Sequence, residues 1–569
     1  MTDSQNALSR QWLQAERAAL ARARGKKKLD IILDAADPEA LVRSLPAEDL
    51  YFAVQEIGKA DAGPLVQLAS PEQFRTFVDL DAWKGETFDP HEMLLWLRLA
   101  RGDDDDAYRE KLAALDIEVV ELLLRGIVKI YDLEEDGEPP DDVEGTIERT
   151  PEGRFMLVYE DQGAEYAAAR RVIDDLYAED PFKAARMLYA VRWELESELT
   201  ETGLRWRNAR LADLGFPSLE EALSLYARVD RKAPLPPPAG LPEAEPGFFL
   251  ASLETGSTLL DRAMALAPDE ARDAIQLQLV AVLNAALVAD RIDVTDVDAV
   301  REHAEAVRAT LDLGLVDLAG GDDPVRAATI LAGTATKRIF QVGFTRTLEL
   351  KWRAERLLKS LPIRLAGATQ PLPDGADGEA FAALLLRRPR YFGGLDGPKA
   401  RQRVRAFATP AEVERASAML DRVEAVARAF AAAGLQSEAA SRVVEAWGEA
   451  GLARARWSDL WATAVAREVA GVGFAFEPLP REALAGFLRE AFDADGRLRP
   501  SFREAALAAW RARAGEAAGE EALAFAAAAL ERLESEVGQQ VAVEGADGVD
   551  ARYAAPLIVP PASNVVRMG

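Results

Sequence analysis

The chain has 569 residues, a formal net charge of −28, two histidines and no cysteine, and nearly half of its residues are apolar. That length allows three or four domains. The missing thiols exclude disulfides, thiolate metal sites and cysteine nucleophiles and suit a reducing cytoplasm, while the acidity opposes binding to nucleic acid or an anionic membrane.

Residues 1–28 read as a helix with seven basic and two acidic side chains, either solvated or a docking arm for an acidic surface. Its start, Met1-Thr2-Asp3, lacks the basic stretch and apolar core of a secretory signal, and no apolar run along the chain approaches the eighteen or so residues that a membrane span needs. Residues 29–143 read as a superhelix-like series of short helices, several opened by a capping side chain followed by proline: Asp37-Pro38, Ser70-Pro71 and Asp89-Pro90. The cap accepts a bond from an orphan N–H, and proline at the first helical position has no N–H to leave unpaired. A helix from Pro46 should stop near Gly58. Such helices are too short to stand alone and need stacking to share a core.

Acidic runs follow at Asp103 to Asp106, Asp132 to Asp136 and Asp141-Asp142, with a helix expected from about Glu110 to Ile130. Residues 144–230 read as a hairpin plus long helices. Thr146 to Thr150 and Arg154 to Tyr159 flank the turn Pro151-Glu152-Gly153. A helix opening at Asp180-Pro181 should run through Trp193, with a break near Gly203, to Leu214, and Ser218 to Glu221 is a capping box for the next. The proline-rich stretch 231–246 reads as a linker. A helical domain (247–365), a second linker (366–379), a third helical domain (380–535) and a tail (536–569) complete the chain. The expected fold is therefore all-α and multi-domain, with an N-terminal solenoid-like module and one small β-hairpin.

Few residues carry recognisable chemistry. His91 and His303 lie far apart, each on a helix, and there is no phosphate loop, zinc-binding His-Glu-x-x-His, nucleophile elbow or dinucleotide fingerprint. Asp493 to Glu504 has the spacing of a calcium loop. Arg497 stands where an oxygen ligand belongs, however, and Leu498 where the turn needs glycine, so an interhelical turn closed by Gly496 is the better reading. No metal site and no cofactor are implied. Arg192, Trp193, Arg205 and Trp206 are candidates for lining a pocket, with an interhelical polar network as the alternative. From Lys337 to Arg405 there are fifteen basic and six acidic side chains. Arg387, Arg388, Arg390, Tyr391, Lys399 and Arg401 are the interaction candidates there. Residues 29–161 hold 34 acidic and 12 basic side chains, so the acidic module and the basic segment could face one another.

The segments Asp37-Pro38-Glu39, Ser44 to Leu50 and Leu68 to Phe74 resemble the cytoplasmic N-terminal helical superhelix of MgtE-type magnesium transporters, and are similar to the helical repeats of the flagellar motor switch protein FliG. A longer resemblance rests on Leu80 to Trp83, Arg192 to Leu195, Leu204 to Arg207, Arg210 to Phe216 and Ile339 to Phe344. These look like an uncharacterised bacterial family of unknown function, which implies no activity. The MgtE likeness implies at most a superhelix and a regulatory role. The leading expectation is a cytoplasmic interaction or regulatory scaffold with a protein partner, without membrane insertion or nucleic-acid binding. The alternatives are a divalent-cation-responsive regulator and an enzyme whose site forms only in three dimensions.

Overall fold

The structure is a computed structural model that describes residues 12–560 apart from 14, 18, 21–22, 103, 136, 138–143, 161–162, 239–256, 361–372, 398 and 436–455. Most of the basic N-terminal segment, Asp103, Asp136, Asp141, Asp142 and parts of both expected linkers lie outside the described residues. The chain is mostly all-α and divides into two compact units, residues 1–342 and 343–569.

Unit 1 begins with short helices that start where their caps dictate. These are α1 (Lys26–Leu33), α2 (Pro38–Arg43), α3 (Ala47–Ile57), α4 (Gly63–Leu68), α5 (Pro71–Asp81), α6 (Pro90–Ala100), α7 (Asp105–Ala113) and α8 (Ile117–Ile127). The Asp37 and Asp89 side chains accept from the N–H groups of Ala40 and Glu92, and Ser70 and Gln73 form a reciprocal capping box. Gly58 ends α3. Alternate helices pack together, α3 on α5, α4 on α6 and α6 on α8, burying Leu50, Val54, Phe74, Phe77, Leu94, Trp96, Leu123 and Leu124 in a shared core. A two-residue ribbon, β1 (Trp83–Lys84) with β2 (Thr87–Phe88), links α5 to α6.

The helix expected over 110–130 is two helices and a strand. Chain extended at Val128 leads into β3 (Lys129–Asp132), which pairs antiparallel with β5 (Phe155–Tyr159). The expected hairpin, β4 (Thr146–Arg149) with β5, forms the other half of a three-stranded sheet in the order β3-β5-β4. β5 is central and buried on both faces, which explains its unbroken apolar run. Three longer helices follow: α9 (Gly163–Glu179), α10 (Pro181–Trp193) and α11 (Glu196–Asp213). The break expected at Gly203 falls instead at Glu194-Leu195, whose backbone is extended. The Arg125 guanidinium holds the Glu194 carbonyl there at 2.9 Å. Gly203 stays helical because the Trp83 ring lies against it, where a Cβ would come within 3.3 Å.

The rest of unit 1 comprises α12 (Leu219–Leu223), α13 (Leu259–Leu266), α14 (Asp269–Asp290), α15 (Val297–Ala319), α16 (Pro324–Gly333) and the start of α17 (Thr336–Ser360). By length and composition α14 could cross a membrane. Here it is a core helix, with Leu279, Leu283 and Leu287 buried. Gln278 accepts from the Thr336 N–H (3.0 Å) and Asn284 donates to the Leu214 carbonyl (3.3 Å). The division between the units falls inside α17.

Unit 2 holds α18 (Gly375–Leu385), the ribbon β6 (Tyr391–Phe392) with β7 (Val404–Arg405), α19 (Pro410–Ala432), α20 (Trp457–Val469), α21 (Leu484–Ala491), α22 (Pro500–Ala514) and α23 (Glu520–Glu544). Phe430, Trp457, Trp461, Trp510 and Phe525 form its aromatic centre, with ring centroids 5.2–6.4 Å apart along the cluster. The calcium-loop lookalike is a turn. The Asp493 carboxylate accepts from the backbone N–H groups of Asp495 and Arg497. Gly496, at φ 74°, lies against Gly538 of α23 so closely that a Cβ on either would strike the other's carbonyl. Gly538→Ala should therefore lower the urea midpoint by an overpacking cost of about 1–3 kcal/mol, although alanine favours helix by about 1 kcal/mol over glycine. A midpoint that stays or rises would contradict this crossing.

Candidate functional site

In unit 1 the end of α5 gathers two polar nodes. The first is centred on Asp81, the last residue of α5, which is buried among α3 and α6. Its carboxylate accepts from the Trp96 indole (2.7 Å), the Tyr51 hydroxyl (3.3 Å) and the Gln55 amide (3.3 Å). The Lys59 ammonium bridges Asp81 and Glu92 and sits 5.2 Å from the Trp96 ring. Burial raises the pKa of Glu92 against the pull of Lys59, and Asp81 adds to the rise. The second node holds Asp79, two residues earlier. Arg210 of α11 donates to both of its oxygens at 2.7 and 2.8 Å and lies 2.8 Å from Asp116. Arg207 donates to the Asp79 carbonyl at 2.6 Å and faces the Trp83 ring. Three of the segments that carry the family resemblance, Leu80–Trp83, Leu204–Arg207 and Arg210–Phe216, thus meet here.

Trp193 and Trp206 are exposed, at 49% and 48% of their surface. Arg192 and Arg205 stack on their own neighbours, Trp193 and Trp206, at 5.0 and 5.3 Å. The four pocket candidates are thus carried as two Arg–Trp stacks on successive helices. The Arg192–Glu196 pairing that one continuous helix would give is interrupted by the break at Glu194-Leu195. Trp193 belongs to a larger feature. The face of α10 carrying Ala184, Met187, Leu188 and Val191 is buried against its neighbours, whereas Phe182 (89% exposed), Tyr189 and Trp193 share the opposite face, followed by exposed Leu195. Tyr189 and Trp193 are 6.4 Å apart, and Arg154, paired with Asp132, lies 5.3 Å from the Tyr189 ring. On α8, which packs against α10, the Glu121 side chain is only 5% exposed. Burial, with Glu194 and then Glu118 adding, pushes its carboxyl up to about 7, Arg186 only partly opposing.

In unit 2 the basic candidates divide between surface and interior. Arg387, Lys399 and Arg401 are exposed, Arg388 and Arg390 are half-buried, and Tyr391 is buried. The Tyr391 hydroxyl donates to Asp396 (2.6 Å) and accepts from Arg415 (3.0 Å), while Arg405 stacks on its ring and pairs with Glu412 at 3.0 Å. The Arg390 N–H donates to the Ala383 carbonyl, the Arg401 carbonyl accepts from the Arg403 N–H, and the Arg388 guanidinium lies 5.9 Å from the Phe344 ring. Upstream, Arg353 pairs with Asp421 and Glu424. Much of the basic segment is thus met by carboxylates of its own unit. Another node ties three helices together: Asp374, before α18, accepts from the Ser458 N–H and hydroxyl, and Arg532 of α23 reaches Asp374, Ser458 and Asp459. Burial pushes Asp459 up to about 7 against Arg532.

Most described carboxylates of the acidic runs are engaged. Asp104 caps α7, Asp105 and Asp106 pair with Arg101 and Arg109, and Asp132 pairs with Arg154. Among the described residues no group of three or more histidine, aspartate or glutamate side chains is placed to hold a metal ion. His91 is exposed, and His303 pairs with Asp290 at 3.1 Å. Neither node at the end of α5 was found from sequence. Asp81 and Arg210 stand among the residues of the family resemblance, but nothing local marks them as partners of distant chains.

Short helices tied through buried ion pairs, with an aromatic helix face left open, define a large, mostly all-α protein of two units. The chain belongs to a family of unknown function (DUF6178), which it matches over residues 5–560. No curated protein and no solved structure matches it, so the likeness to the MgtE superhelix gains no support.

Asp81→Ala should cost about 2 kcal/mol or more in urea unfolding, because it leaves the buried Trp96 N–H and Tyr51 hydroxyl without their acceptor and Lys59 with Glu92 alone. An effect under about 0.5 kcal/mol, the usual size for a surface substitution, would show that the node is not buried as described. For Glu121 the folded pKa lies above the unfolded one, so the folded state binds the proton more tightly. Its contribution is whole below about pH 4.5 and lost as the pH rises towards 7. Glu121→Gln should then stabilise the chain by up to about 3 kcal/mol at pH 8, and by almost nothing at pH 4. A gain independent of pH would refute the assignment.

Proposed function

We propose that this protein is a cytoplasmic interaction scaffold and that the exposed face of α10 is where a partner protein docks. The observation that carries the reading is the stripe Phe182, Tyr189, Trp193 and Leu195 on a helix whose other face is anchored in the core. Single exposed apolar residues are ordinary, but large rings grouped on one face mark interaction sites, and aromatic side chains dominate interface energetics. The rigid backing supports the same reading, since a face already held in place costs little ordering on binding. Cysteine-free composition suits the reducing cytoplasm. The engaged carboxylates of the acidic runs offer no support for a cation-responsive regulator.

A photo-crosslinking phenylalanine analogue at Phe182, in the full chain expressed in its native host, should give a discrete adduct on irradiation. The same analogue at Glu531, exposed on α23, should not. Equal labelling from both positions, or none from Phe182, would remove this face from the reading.

A further inference from the structure

The net charge is not spread over the chain. Residues 1–342 hold 66 acidic and 38 basic side chains, and residues 343–569 hold 30 of each. All of the −28 therefore belongs to the unit that carries the aromatic stripe. Around the stripe the imbalance persists, with Glu179, Asp180, Glu194, Glu196, Glu198 and Glu201 against Lys183, Arg186 and Arg192 over residues 179–202. On α8, which packs against α10, Glu121 is 95% buried by its low exposure and feels the charges of Glu194, Glu118 and Arg186. Its carboxylate makes no hydrogen bond or ion pair with a described residue. Arg186 offsets only part of the cost of burying this carboxylate, and a further cation would offset more.

Resting on the scaffold reading, we propose that the α10 face receives a basic amphipathic helix of a partner protein, whose apolar residues cover Phe182, Tyr189 and Trp193 and whose lysine or arginine meets Glu121. The stripe spans twelve residues of α10, about 16 Å at 1.5 Å per residue, which three turns of a docked helix would cover with anchors at i, i+3 or i+4, i+7 and i+11. Complementary charge selects the partner and speeds its arrival. A second copy of this chain is disfavoured because its own α10 face repeats the same acidic surround, and anionic lipid is disfavoured for the same reason.

The probe is a leucine/lysine amphipathic helical peptide, titrated against the full chain, with a leucine/glutamate counterpart as the control. Saturable binding of the lysine peptide is expected, weakening as salt rises. Phe182→Ala and Trp193→Ala should each weaken it by roughly tenfold or more, and Glu490→Gln, on the other unit, should leave it unchanged. Glu121→Gln should weaken binding at pH 8 while raising the unfolding midpoint, opposite directions that a purely structural role would not give. Equal binding of the glutamate peptide, or indifference to Phe182→Ala and Trp193→Ala, would overturn the proposal. So would Trp193-dependent capture of the chain by neutral phosphatidylcholine vesicles, which would assign the stripe to lipid. If Phe182 crosslinks a protein in cells while the lysine peptide fails, only the partner's chemistry is lost. If neither occurs, the scaffold reading falls as well.

Discussion

A helix of six to eleven residues has little stability of its own in water, and residues 26–100 of this protein are made mainly of such helices. What holds them is burial shared with neighbours and ion pairs that tie non-adjacent helices. Asp79 at the end of α5 is gripped by Arg210, 131 residues later, while Asp81, two positions on, gathers α3, the turn at Lys59 and α6. Placing both carboxylates at one helix end joins the short helices to the long α11. It also explains why Gly203 stands where Trp83 must approach. A side chain there would push the ring away from the node it covers.

The same device recurs in unit 2, with different residues. Asp374, Ser458, Asp459 and Arg532 pin the starts of α18 and α20 to α23, and the crossing of Gly496 with Gly538 brings the turn before α22 against α23. Buried ionic nodes are seldom strong net stabilisers, since desolvation offsets much of the attraction. Their value lies in register. An arginine that must reach two carboxylates fixes where one helix slides along another, which short apolar helices alone leave loosely specified.

What could be read from the sequence was what is local. The caps at Asp37, Ser70, Asp89, Asp180 and Ser218 were all legible, because a cap and the N–H that donates to it lie within three residues. So was the β4–β5 hairpin, whose turn lies between its own strands. β3 was not, because its pairing partners lie 23 to 29 residues away across an acidic run and its helix-like apolar spacing continues that of α8. The break after Trp193 was assigned to Gly203 on propensity, and tertiary contacts decided otherwise. Of the candidate site, Trp193 and Trp206 were singled out for their chemistry, but Phe182 and Glu121 were passed over. Nothing in sequence shows which face of α10 is open, or that a glutamate on α8 is buried. The central basic segment looked like a free cationic surface for a related reason: its carboxylate partners, Glu412, Asp421 and Glu424, come later in the chain.

Trp193 and Trp206 are half-exposed in the acidic unit, while Trp96, Trp457, Trp461 and Trp510 are among the most enclosed side chains. That division gives the molecule an optical asymmetry. Indoles in contact with water emit at longer wavelength than enclosed ones, so among the described tryptophans the exposed rings contribute most to the red edge of the fluorescence. A diffusing quencher reaches those rings through the field of a unit that carries the whole negative charge. Caesium ions are concentrated near that surface and iodide ions are kept away, and added inert salt erases the difference between them as the Debye length shrinks. The two tryptophans therefore act as built-in probes of the local potential, reporting the electrostatics of one unit without a label.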